Sequence, residues 1–123
     1  MHVWHRYNRK SHVCTFLIYG EGFERMKKVF IFGIGGFAGS YLAQEFIDNG
    51  YVVAGSDKVK SESLNKLVDF VEADLLNAEN IEKIVSEKKP DMIINLAAIS
   101  SVGASWGIPQ ITMSVNVIGA LNI

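Results

Sequence analysis

An α/β fold built on a parallel sheet is the class that three features of this 123-residue chain predict. Apolar, β-prone runs alternate with amphipathic segments of helical length, the pattern of βαβ units. Four glycines fall within the seven positions from Gly33 to Gly39, between the first such run and the first amphipathic segment. A carboxylate, Asp57, closes the second run.

The elements follow in order. "KKVFIFG" (27–33) is a continuous apolar run, as a strand buried on both faces requires. Residues 37–49 read as a helix, with Phe37, Leu42, Phe46 and Ile47 on an apolar stripe, Gln44, Glu45 and Asp48 outward, and Gly50 just past the end. "YVVAGSD" (51–57) is the second strand, 61–68 a short helix, and "DFVEAD" (69–74) the third strand. Asn77 suits an N-cap for a helix striped by Ile81, Ile84 and Val85. Lys88 and Lys89 complement the negative end of its dipole, and Pro90 stops it. "DMIINLAA" (91–98) is a fourth buried strand, followed by a polar loop in which Trp106 packs. Pro109 opens a last helix carrying Ile111, Val115, Ile118 and Leu121. Right-handed crossovers give the strand order 3-2-1-4, half of a doubly wound Rossmann-type sheet.

The glycines have separate physical roles. Gly33, Gly36 and Gly39 form G-x-x-G-x-x-G directly after the first strand. The first takes the tight turn, the second lets a phosphate approach the backbone, and the third lets helix and strand pack closely. The helix start then offers free N–H groups and a positive dipole end to a pyrophosphate. A second register, Gly33-x-Gly35-x-x-Ala38, predicts the same ligand class. A Walker loop is excluded, because no Lys-Ser or Lys-Thr pair follows. Asp57 lies 18 positions past Gly39, near the ~20 expected of an acid that binds the adenosine ribose. Such an acid repels a 2′-phosphate, which favours NAD over NADP; the neighbouring Lys58 weakens that preference.

Composition narrows the field. The chain is 49% hydrophobic and 20% charged, as a globular domain is. A net charge of -1 argues against a nucleic-acid or membrane-surface binder. No apolar run approaches the ~20 residues that span a bilayer. Residues 1–25 hold all three arginines, all three histidines and Cys14, whereas every later cation is a lysine. This break sets apart an N-terminal extension (1–25), disordered or a gene-start artefact, from the functional domain (26–123). Residues 13–19 could add an edge strand. His2, His5, His12 and Cys14 fit no strong zinc spacing, and no small-x-small cleavage site supports a signal peptide.

"GIGGFAGS", "ADLLN", "PDMIINLAA", "SSVGASWGIP" and "NVIGALNI" occur in the order found in the extended short-chain dehydrogenases/reductases, the NAD-dependent epimerase/dehydratase family. The resemblance covers residues 26–123 and is nearest the branch with GDP-mannose 4,6-dehydratase and GDP-4-keto-6-deoxymannose reductase. It implies NAD as cofactor, a nucleotide sugar as substrate of the complete enzyme, and a cytoplasmic setting. It also implies roles for single residues. Gly33, Gly36 and Gly39 shape the pyrophosphate loop, with Phe37 and Ala38 at its helix start. Asp57 holds the ribose. Asp74 flanks the adenine through its carboxylate and Leu75 through its backbone. Leu96, Ala97 and Ala98 line the crevice where strand four ends. Ser100 and Ser101 face the nicotinamide or sugar side, and Asn116 sits on the helix behind. Plainer alternatives are a solvated strand end for Asp74, turn residues for both serines, a surface amide for Asn116 and simple core for 96–98. Phe32, Asn95 and Ile99 stand where the family often has threonine, histidine and, in this branch, glutamine.

Members of this family use a Tyr-x-x-x-Lys pair for acid–base chemistry. Here Tyr7, Tyr19, Tyr41 and Tyr51 are followed four places on by Ser11, Phe23, Glu45 and Gly55. The expectation is therefore an NAD-binding portion without a catalytic pair, which binds NAD weakly, turns over no sugar nucleotide and self-associates through an exposed sheet edge. A non-catalytic NAD sensor and a half-domain completed by a partner are the alternatives.

Overall fold

The computed structural model describes residues 26–123 and the backbone of two short strands before them. Those strands, β1 (Trp4–Arg6) and β2 (Thr15–Leu17), pair antiparallel in a sheet of their own. The strand expected within 13–19 thus joins β1 and not the main sheet. His2, His12 and Cys14 lie outside the described residues.

The main sheet contains β3 (Lys28–Phe32), β4 (Val52–Asp57), β5 (Asp69–Glu72) and β6 (Met92–Asn95). Its order is β5-β4-β3-β6 and every pairing is parallel, which is the expected 3-2-1-4 arrangement. Helix α1 (Phe37–Asp48) connects β3 to β4, and α2 (Ala78–Lys88) connects β5 to β6. After β6 come α3 (Val102–Gly107), α4 (Pro109–Met113), a π turn (Ser114–Ile118) and α5 (Gly119–Leu121).

Strand alternation divides the core in two. Val29 and Ile31 of β3 face a cluster with Ile34, Ala43, Val53, Leu64 and Val68, against which Leu42, Phe46 and Ile47 of α1 pack. Phe30 and Phe32, with ring centroids 4.8 Å apart, face Leu75, Ile81 and Ile84 on the α2 side. Both sheet faces are covered, so β3 carries no polar side chain between Val29 and Phe32. Asn77 caps α2 as expected, its side chain accepting the Asn80 N–H at 3.1 Å.

Several local expectations change. Residues 61–68 form successive turns, not a helix. Ser61 Oγ accepts the Ser63 N–H, and Asn65 Oδ1 accepts the Leu67 N–H at 2.8 Å, local bonds that compete with helix formation. Leu64 and Val68 still reach the core from those turns. Phe37 is 85% exposed and stacks on Tyr41 instead of joining the stripe. The third strand ends at Glu72 and the fourth at Asn95, earlier than the apolar runs suggested. β6 is the sheet edge, so Met92 and Ile93 are exposed and not buried. The expected polar loop contains α3, and Trp106, 83% exposed, does not pack it. The last helix keeps Pro109 at its start but is interrupted by the π turn, and its Ile118 and Leu121 are exposed.

Candidate dinucleotide site

The site grows from the turn that ends β3. Gly33 has φ +77°, a left-handed conformation open to glycine. Its N–H donates to the Ser56 carbonyl at 2.8 Å, and the Ile34 N–H shares that acceptor at 3.2 Å. These bonds fold the turn back over the end of β4. A Cβ on Gly33 would lie 2.6 Å from Ala97 N and 2.8 Å from Leu96 C, so the loop after β6 closes on this residue. A Cβ on Gly39 would strike the Gly33 carbonyl oxygen and come within 2.7 Å of Ile34 Cα. Gly39 is therefore the packing glycine that seats α1 on the turn.

Gly36 differs from both. Its backbone is extended (φ −72°, ψ 169°), and a Cβ there would meet only the Gly33 carbonyl, at 3.4 Å. It is the N-cap of α1, with no side-chain cap and no acid in the first turn. The N–H groups that open α1 thus face the turn without a built-in anion.

Asp57 ends β4 beside this turn. Its Oδ2 accepts the Gly35 N–H at 3.1 Å, and its Oδ1 accepts the Lys58 N–H at 2.8 Å. The carboxylate is thereby oriented against the glycine loop. Asp74, just past β5, accepts the Leu76 N–H on Oδ1 at 3.0 Å and ion-pairs through Oδ2 with Lys58 Nζ at 3.1 Å. The Leu76 N–H first, and then the Lys58 ammonium, hold the Asp74 carboxyl below the usual carboxylate range.

These residues enclose a cleft of about 420 Å³ at the carboxyl ends of the strands. Gly33 and Gly36 line it, together with Asp57, Asp74 and Leu75 from the ends of β4 and β5 and Leu96, Ala97 and Ala98 from the loop after β6. It lies beside the end of β3, where the connections diverge to β4 and to β6, the switch point at which open α/β sheets bind ligands. The remaining candidates lie elsewhere. Phe37 lines an adjoining groove with Tyr41, Gln44 and Ser63, which shares Gly36 with the cleft and also touches Gly35. Ala38 is exposed on the first turn of α1, and Gly39 is buried beneath it. Ser100 and Ser101 are exposed on the segment into α3, and the Ser101 carbonyl accepts the Ser105 N–H.

Asn116 lies in the π turn and acts on the backbone. Its Oδ1 accepts the Ile99 N–H at 2.8 Å, and its Nδ2 donates to the Ile99 carbonyl at 3.1 Å. It therefore pins the loop after β6. Across the cleft, Asn122 Nδ2 donates to the Leu75 carbonyl at 2.7 Å. Asn122 carries no motif that marks it, and Ile111 and Val115, named above only for their helical spacing, line the cleft. For the last two the signal was their i, i+4 spacing. Gly35, present only in the second glycine register, is the residue that contacts Asp57.

An adenosine–diphosphate group fits these surroundings. Backbone amides and an open Cβ position at Gly36 suit the phosphates, and an oriented carboxylate suits the ribose hydroxyls.

Known proteins share this fold. Residues 30–123 match the family described as GDP-mannose 4,6 dehydratase. GDP-mannose 4,6-dehydratase of Yersinia enterocolitica is 33% identical over 112 residues, covering 80% of this chain and 30% of the relative. Among solved structures, UDP-glucose 4-epimerase of Thermotoga maritima with UDP-glucose has a TM-score of 0.74 at 34% identity, covering 77% of this chain and 32% of that one. UDP-glucose 4-epimerase of Thermus thermophilus, solved in complex with NAD, has a TM-score of 0.74 at 33% identity, with coverage of 77% and 32%. The chain thus spans about a third of the length of these relatives. Since the match runs from within β3 to the last residue, the chain belongs to the GDP-mannose 4,6-dehydratase family.

Proposed function

We propose that this chain is the NAD-binding portion of a nucleotide-sugar epimerase, dehydratase or reductase, with residues 26–123 as the binding unit. The observation that carries the reading is one continuous cleft joining the Gly33–Gly36 turn, Asp57, and the Asp74–Leu75 lip. The amides at the start of α1 hold the pyrophosphate. Asp57 accepts hydrogen bonds from the adenosine ribose, and Asp74 and the Leu75 backbone flank the adenine. When bound, NAD supplies a hydride acceptor or donor. The chain's own residues bind and orient its adenosine end, while Ser100 and Ser101 lie toward the reacting side. The substrate of the complete enzyme is a nucleotide sugar in a cytoplasmic setting, and NADP is the less favoured cofactor.

Separate titrations with NAD and NADP test this reading. Asp57→Ala is expected to weaken NAD by about 10- to 100-fold, the loss of a charged hydrogen bond, and to weaken NADP less. An unchanged preference for NAD would remove Asp57 from the ribose site.

The exposed edge favours a second property, self-association. Met92 and Ile93 of β6, with Ile111, Val117 and Ile118 of the last helix, leave apolar side chains uncovered. Sedimentation equilibrium of the chain is expected to show mass rising with concentration. A single monomeric species throughout would refute it.

A further inference from the structure

Resting on the NAD reading above, we infer that Asp74 is a specificity-determining residue: by holding the Lys58 ammonium, it withholds that charge from a 2′-phosphate and biases the cleft toward the unphosphorylated dinucleotide. Lys58 is the cationic residue in the cleft lining. It connects both acids, since its N–H donates to Asp57 Oδ1 at 2.8 Å and its Nζ lies 3.1 Å from Asp74 Oδ2. A phosphate placed beside the ribose brings about −1.5 to −2 of charge toward Asp57. The compensating charge nearest Asp57 along the chain is that of Lys58, and Asp74 neutralises it. The Leu76 N–H fixes the other Asp74 oxygen, so the acceptor is held in place before any ligand arrives. Both side chains are partly open to solvent, 62% for Lys58 and 45% for Asp74. The pair is therefore weak and screened by salt, which makes the bias modest.

Calorimetric titration of the chain with NAD and with NADP, at low and high salt, tests this. The variants are Asp74→Asn, which keeps an oxygen for the Leu76 N–H, Lys58→Gln, and the double variant. Circular dichroism confirms that each is folded. Asp74→Asn is expected to raise the NADP-to-NAD affinity ratio about threefold. The rise should vanish in the double variant and shrink with salt. A direct adenine contact by Asp74 would alter both affinities alike and cancel in the ratio. An unchanged ratio in Asp74→Asn, or a rise that survives loss of Lys58, overturns the inference; the NAD reading is judged separately, on the wild-type titration. If the wild-type chain binds neither dinucleotide, the cofactor reading falls and this inference falls with it.

Discussion

Gly33→Ala is expected to destabilise the fold by about 2–5 kcal/mol, combining left-handed backbone strain with steric overpacking. The two costs have separate origins. At φ +77° any Cβ is strained wherever it points. In this structure it also points at Ala97 N, 2.6 Å away, so the loop after β6 must retreat. Backbone atoms form the obstacle, and no rotamer change relieves it. Relative to the ~5–15 kcal/mol that holds typical domains folded, this is a large share. Urea denaturation measures it directly. A wild-type midpoint in the Gly33→Ala chain would show that strand exit and loop are not packed as described.

Gly36→Val should do the reverse, leaving the fold nearly intact while removing dinucleotide binding. Gly36 is extended and its Cβ direction is open, so the expected stability cost is within about 1 kcal/mol, the range for a poorer N-cap. The branched side chain would occupy the space proposed for the phosphates. NAD affinity should fall about tenfold or more, each tenfold corresponding to about 1.4 kcal/mol. Titration of NAD against the folded variant gives the answer. Undiminished binding would place the pyrophosphate elsewhere. Together the two substitutions separate a glycine required by the chain from a glycine required by its ligand.

The contrast also shows what was legible in the sequence. The strand order followed from alternation and handedness, and the roles of Gly33 and Gly39 followed from the strand–turn–helix context. Each is a local rule that the tertiary structure reinforces. The turns at 61–68 were not legible in the same way. Leu64 and Val68 have helical spacing, but Ser61 and Asn65 use their side chains to satisfy neighbouring amides, and the core accepts the two apolar residues from turns. Phe37 and Trp106 were misplaced for a related reason. Hydrophobicity predicts burial only where another element arrives to cover the ring, and among the described residues none covers these two. At the site, the positions of Asp57 and Asp74 were readable from spacing and resemblance. Their link through Lys58 was not, because an ion pair between two loops depends on where both strands end. Asn116 was expected on the helix behind the site; what spacing could not show is that both ends of its amide engage Ile99.

The π turn has a mechanical consequence. It widens the helical winding locally; its own Asn116 grips Ile99, and Asn122, just past α5, grips Leu75. These two anchor points belong to opposite lips of the same opening. One continuous rod is thus tied to both banks, as a strut is, and sets the gap between them. Displacing either bank alone requires breaking an amide tether.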